Sequence, residues 1–370
     1  MRTEHHVIST SHGGAVQLAS LHFGTPGAGK KAYLQAALHA DEVPGMLVAQ
    51  CLRQRLLSLE AAGKIRGEVV LVPAANPIGL AQAIQGTPLG RFDLSTGINF
   101  NRAHPHVGEA LKSTLQGRLG GDPDANVREI RRQALAHIRS LQPASDAAAL
   151  KQVLLSLAID ADIVLDLHCD NEAVMHVYTG TPLAGAIAPL ARLLRAQAVL
   201  LATEAGGEPF DEACSRLWWE LAAHFPDVPI PPACIAATVE LRGEMDVGYD
   251  LARRDAGALL AYLATQGVLD ADDMPLPQPL CPLTPLEGVE PLLAPHAGVL
   301  VYTRTLGERL EPGMAVADVI DPVTGATTAV RCTVGGVFFG RSAHRHVLRG
   351  MNIGKVAGHI PFRSGNLLSL

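Results

Sequence analysis

Four short stretches carry residue types that do chemistry where strands end or loops run. The first is His39-Ala40-Asp41-Glu42, an imidazole and a carboxylate three residues apart, following the apolar run Ala32 to Leu38. At such a bend both side chains reach one metal ion, because imidazole nitrogen and carboxylate oxygen are ordinary zinc ligands. The same pair also reads as a plain helix entry whose carboxylate sits at the positive end of the dipole. The second is Ile163-Val164-Leu165-Asp166-Leu167-His168, where an imidazole again closes an apolar run. Asp166 points to the same side of that strand as His168 and is placed to orient a ligand or hold a loop. The bland alternative is that His168 only bonds a loop. The third is Val239-Glu240, also at a strand's carboxyl end. A carboxylate beside an activated water is a suitable general base; Glu244 or Arg242 nearby stands as the alternative functional group. The fourth is the loop segment Arg91 to Arg102, which includes Asn99 and Asn101. Its guanidinium and amide donors suit a carboxylate, or equally a structural turn.

Strands must bring these pieces together. Three β-like runs, His6 to Thr10, Val16 to Phe23 and Ala32 to Leu38, are separated by glycine turns and read most simply as two hairpins leading into a sheet. A helical pattern follows from about Met46 to Ala62, then a β-rich run from Glu68 to Ala75 closed by Asn76-Pro77-Ile78-Gly79. From there to about Asp124 the chain is rich in Gly and Pro, a long loop of the kind that carries function. Helical patterns at about 125–141 and 145–159, the second capped by Ser145, lead into strands and helices that alternate to residue 266. Alternation predicts an α/β domain, and in an open α/β sheet ligands gather outside the carboxyl ends of the strands. Pro275, Pro277, Pro279 and Pro282 then mark a linker, and short β-like pieces with glycine turns follow. The expected division is a catalytic domain at 1–270, a proline-rich linker at 271–284 and a small all-β domain at 285–370.

The totals bound the function. The 370 residues are 48% hydrophobic and 18% charged, enough for a sizeable core filled by aliphatic side chains, since aromatics are 4%. The net charge of −6 and the absence of a basic stripe exclude a nucleic-acid partner. No apolar run is long enough to span a membrane, and the N-terminus lacks the apolar core of a signal peptide. Six scattered cysteines without a CxxC pair fit a reducing cytoplasm. Cys169 adjoins a candidate ligand but faces the other way on a strand and is left out. His104 and His106 read as a solvated loop, and His344 and His346 as a surface cluster.

The order of His39-x-x-Glu42, Asn76-Pro77-x-Gly79, Asn101-Arg102, Asp166-Leu-His168 and Val239-Glu240 resembles the succinylglutamate desuccinylase/aspartoacylase family of zinc carboxypeptidase-like hydrolases. The likeness runs over about residues 30–266. It implies a mixed sheet flanked by helices, with the β-tail matching a small β-domain found in family members. It implies one zinc ion per chain on His39, Glu42 and His168, with Glu240 as the catalytic carboxylate. Asn101 and Arg102 are implied as contacts to a substrate carboxylate, and Arg91 as the arginine that polarises the scissile carbonyl. Ala40 stands where the family commonly has glycine. The expected protein is a deacylase of N-acyl amino acids or similar small amides, and its substrate a small molecule. A carboxypeptidase using the same site, or a non-catalytic binding protein with a vestigial metal site, remains an alternative. A homo-oligomer stays open.

Overall fold

The computed structural model describes residues 1–270 and 275–368; residues 271–274, at the start of the expected linker, and 369–370 lie outside the described residues. Nine strands form the main sheet: β1 (Arg2–Ser9), β2 (Ala15–Gly24), β3 (Lys31–Ala36), β4 (Glu68–Val72), β5 (Ile163–Asp170), β6 (His176–Gly180), β7 (Ala198–Ala202), β8 (Ile235–Gly243) and β9 (Leu283–Pro285). Their spatial order is β1-β2-β4-β3-β5-β8-β6-β7-β9. The strands β4, β3, β5 and β8 run parallel, whereas β1–β2, β2–β4 and β8–β6 are antiparallel, so the sheet is mixed, as expected. The expected pair of N-terminal hairpins is half right. The first forms, but β4 inserts between β2 and β3, and β3 pairs in parallel on both sides. The near-continuous burial of β3, β4 and β5 explains why they read as unbroken apolar runs: both faces are covered.

Among the described residues eight helices in chain order cover those faces: α1 (Pro44–Ala61), α2 (Pro77–Leu80), α3 (Val107–Leu115), α4 (Pro123–Ser140), α5 (Asp146–Ala158), α6 (Ala184–Leu194), α7 (Phe210–His224) and α8 (Tyr249–Thr265). On one face Leu52 of α1, Leu190 of α6 and Leu259 of α8 pack on Leu34, Leu165 and Val239. On the other, Leu111 of α3, Ile130 of α4, Leu154 of α5 and Trp218 of α7 pack on Tyr33, Val70 and Val164. Helix starts are set locally. Asp122 accepts from Asp124 N at 2.9 Å with Pro123 in the first turn, and Ser145 accepts from Ala148 N at 3.2 Å. Helix α3 falls inside the stretch expected to be loop; its apolar Val107, Leu111 and Leu115 share one buried face.

After β9 the chain forms short antiparallel strands in two further sheets around Leu300, Val316, Phe338 and Val356. Two features join this region to the main sheet. β9 pairs with β7, and the short strand Glu172–Ala173, just after β5, pairs with Gly336–Arg341. A shared cluster of Leu200, Ala202, Leu286 and Phe339 seals the seam. Among the described residues no helix is long and apolar enough to cross a membrane.

Candidate metal centre and active site

The sheet delivers three of the four chemistry-bearing segments to one edge. β3 ends at Ala36, and Ala37 then takes a left-handed backbone (φ 59°) that turns Leu38 and His39 out of the strand. β5 carries Asp166 and His168, and β8 carries Glu240 as the direct register partner of His168. Three further non-glycine residues with positive φ flank the site: Ala103 (54°), Glu208 (53°) and Arg242 (70°). Each costs on the order of 1 kcal/mol or more and persists only where surrounding packing imposes it.

The geometry around Glu42 is that of a cation cradle. His39 Nε2 donates to Asn99 Oδ1 at 2.7 Å, and that oxygen also accepts from Asn101 N at 2.8 Å. The proton of His39 is therefore on Nε2, and Nδ1 turns its lone pair to Glu42 Oε1 at 2.8 Å. His168 repeats the arrangement. Its Nε2 lies 2.9 Å from Asp166 Oδ2, and its Nδ1 faces Glu42 Oε2 at 2.8 Å. Two acceptor atoms this close need a proton or a metal cation between them. Outer partners that fix the tautomer of each imidazole are the usual support of a metal-ligating histidine. His39, Glu42 and His168 are all buried, and their ligand atoms lie within 4.8 Å of one another, so the group can hold a metal ion. The donor set of two imidazoles and one carboxylate suits a borderline cation, and three protein ligands leave a position open.

Charges around the cradle are strongly coupled. Burial opposes ionisation of Glu42, yet His39 and His168 hold its carboxyl well below the usual range. Burial likewise works against His168⁺, but Asp166 and Glu42 raise its pKa well above the ordinary value. Glu240 behaves in the opposite way. Burial and then the nearby Glu42 push its carboxyl up to about 8, and its Oε2 is buried with no hydrogen-bond partner among the described residues. A cation held in the cradle would offset the charge of Glu42 and favour the ionised Glu240 that a general base needs.

His39, Glu42, His168 and Glu240 line one cleft together with Arg91, Asn101, Arg102, Tyr178, Glu212 and Lys355. Arg91 Nη1 donates to Glu42 Oε1 at 3.1 Å. Asn101 Oδ1 accepts from Phe210 N at 2.9 Å, and its Nδ2 lies 3.4 Å from His168 Nε2. Arg102 Nη1 donates to Asn101 O at 2.7 Å. All seven residues singled out as metal, catalytic or substrate contacts thus meet in the cleft. Of the alternatives to Glu240, Arg242 is paired with Asp255 at 2.5 Å and Glu244 accepts from Asn171 Nδ2 at 2.5 Å. The sequence reading of His104 as solvated is corrected. It is buried against Phe210, with ring centroids 5.3 Å apart, because the loop folds beneath α7.

The sequence profile described as the Succinylglutamate desuccinylase/Aspartoacylase catalytic domain matches residues 28–223. The chain belongs to this family. A solved structure from Shewanella amazonensis SB2B, described as a succinylglutamate desuccinylase/aspartoacylase family protein, shares 28% identity and a TM-score of 0.83, covering 96% of this chain and 98% of its own. A second, from Shewanella frigidimarina NCIMB 400 and of the same description, shares 25% identity and a TM-score of 0.84, covering 96% and 97%. The ectoine utilization protein EutE (DoeB) of Ruegeria pomeroyi shares the fold at 16% identity and a TM-score of 0.68, over 96% of this chain and 95% of its own. No curated protein matches. Membership of the desuccinylase/aspartoacylase family marks the chain as a hydrolase-type enzyme acting on small molecules.

Several residues of the site were not legible as such. Asn99 orients His39, and the Cys169 backbone N–H donates to Glu42 Oε2 at 3.0 Å, although the Cys169 thiol had been set aside. Lys355, far along the chain, reaches Asp170 at 2.5 Å. Asp211 and Glu212 are the acidic residues of the first turn of α7.

Proposed function

We propose that the protein is a zinc-dependent deacylase that hydrolyses the amide of an N-acyl amino acid or a related small amide bearing a carboxylate. One observation carries this reading. The two Nδ1 lone pairs of His39 and His168 converge on one carboxylate, with Glu240 register-paired to His168 beside them. On this reading His39, Glu42 and His168 hold one zinc ion, residues 1–270 form the catalytic unit, and residues 285–370 form a β-domain that contributes Lys355 to the cleft.

When bound, zinc supplies a lowered pKa for water and a positive charge beside the amide carbonyl. The protein's own groups do the rest. Glu240 takes the proton of the attacking water on the oxygen left without a partner and delivers it to the leaving nitrogen. Arg91, tethered to Glu42 through one N–H, offers its remaining donors to the oxyanion. Arg102 takes the substrate carboxylate, and Asn101, anchored by the Phe210 N–H, sets the wall against which it lies. Burial of the cradle keeps these interactions in a low-dielectric setting where they are stronger than in water.

Chelator-treated protein is expected to lose hydrolysis of an N-acyl amino acid panel and to regain it with one equivalent of zinc. Release of C-terminal residues from peptides without cleavage of any N-acyl amino acid would overturn the reading.

A further inference from the structure

One buried cation has no part in the chemistry above. Lys151 stands on the inward face of α5, in a stripe with Ala147, Leu150, Leu154, Leu155 and Ala158. It is 4% exposed. An aliphatic side chain would suit that stripe better, because a buried ammonium loses its hydration. Among the described residues Asp93 is the acid that acts on it, and that carboxylate is occupied by the Ser95 and Thr96 hydroxyls at 2.9 and 2.7 Å.

What the ammonium holds is backbone. Lys151 Nζ donates to Asn99 O at 3.2 Å and to Arg102 O at 2.6 Å. Those two carbonyls bracket one tight turn, closed by Arg102 N donating to Asn99 O at 3.1 Å. Burial brings the Lys151 pKa down to about 8, so the group is still a cation at neutral pH. Hydrogen bonds from a charged donor are the stronger kind.

The turn matters for what its residues carry. Asn99 Oδ1 accepts from His39 Nε2 and so sets the tautomer that aims Nδ1 at the cradle. Asn99 Nδ2, however, is buried with no hydrogen-bond partner among the described residues. The far end of the amide is therefore unsteadied, and the carboxamide takes its place from its own backbone, which Lys151 holds. At the other end of the turn Arg102 reaches into the cleft. Ala103, next in the chain, has a φ of 54°, a conformation that persists only where neighbours impose it.

We propose that Lys151 is a positioning residue for the metal centre: its ammonium clamps the turn from Asn99 to Arg102 from beneath and so holds both the His39 imidazole and the Arg102 guanidinium in place. The part concerning Arg102 rests on the deacylase reading above; the part concerning His39 rests only on metal holding.

Lys151→Met keeps the length and apolar packing of the side chain and removes the cation. Leu154→Ala, three residues along the same stripe, is the control for lost stability alone. Zinc affinity is measured by competition with a chromogenic chelator, and KM on the best-cleaved N-acyl amino acid at saturating zinc. Lys151→Met is expected to bind zinc about tenfold more weakly, the low end for losing outer support of a metal ligand, and to show a KM about tenfold higher. Leu154→Ala is expected to keep both within about twofold. A tenfold loss in either quantity, confined to Lys151→Met, supports the clamp; native values for both, or equal losses in Leu154→Ala, overturn it. If no substrate is cleaved, the deacylase reading fails and zinc affinity alone decides the clamp. If the native chain takes up no zinc either, hydrogen exchange of the peptide spanning residues 99–104 decides it. Exchange about tenfold faster in Lys151→Met and not in Leu154→Ala supports the clamp; exchange equal to native overturns it.

Discussion

Lys355 closes a 2.5 Å ion pair onto Asp170, joining the last strand of the C-terminal β-region (Asn352–Gly358) to the residue two positions beyond His168. Both side chains are about one-fifth exposed, and the pairing raises the Lys355 pKa despite burial. The contact ties the β-region to the strand that carries a candidate ligand. Removing the lysine leaves a largely buried carboxylate unmatched. Lys355→Met is expected to destabilise the protein by about 2 kcal/mol in urea unfolding, below the full cost of breaking a wholly buried pair. Asp170→Asn combined with Lys355→Met is expected to recover part of that loss. A single-variant loss under about 0.5 kcal/mol would show that the pair does not hold the two regions together.

Ala40, next to His39, has its methyl seated between two glycines. A Cβ on Gly79 would lie 2.9 Å from the Ala40 Cβ, and a Cβ on Gly90 would lie 2.4 Å from the Asp41 backbone nitrogen. Gly90→Ala is expected to cost about 2–3 kcal/mol, since backbone must shift to admit it. The displaced Ala40-Asp41 segment is also expected to weaken metal binding tenfold or more. Unchanged melting temperature and metal affinity in this variant would contradict the packing described.

His176 supplies a pH dependence outside the metal cradle. Its ring is buried beside Tyr178 and Phe339, with Nδ1 2.8 Å from Val174 O. Burial lowers its pKa from 6.5 to about 4. Between those values the unfolded chain binds a proton that the folded chain does not. Stability therefore falls as pH drops from about 6.5 to 4, by up to about 3 kcal/mol. His176→Gln is expected to flatten this limb in urea unfolding measured across the range. An acid limb as steep as in the native protein would mean that His176 does not titrate in this window.

Glu240→Gln separates metal holding from proton transfer. Glu240 touches neither imidazole through a hydrogen bond, and its Oε2 has no partner among the described residues. The variant is expected to keep a full equivalent of metal and lose about a thousandfold in kcat on the best substrate. Full turnover would remove Glu240 from the role of base.

Much of the site was legible because its residues sit where apolar runs stop. His39, His168 and Glu240 each mark the carboxyl end of a strand, and a parallel sheet must bring such ends to one edge. The register that sets Glu240 opposite His168 was not legible, nor was the insertion of β4 between β2 and β3. Both depend on pairings between strands far apart in sequence. Helix α3 had a readable signal in Val107, Leu111 and Leu115, but the glycine and proline around it outweighed so short a pattern. Lys355 carried no local signal; it matters because of a partner nearly two hundred positions away, which only the folded chain displays.

The central claim is that His39, Glu42 and His168 together hold one catalytic metal ion. Metal analysis of purified native protein and His168→Ala after dialysis against dilute zinc tests it most directly. The geometry predicts one zinc per native chain and less than a tenth of that in the variant; a variant that keeps a full equivalent would contradict it.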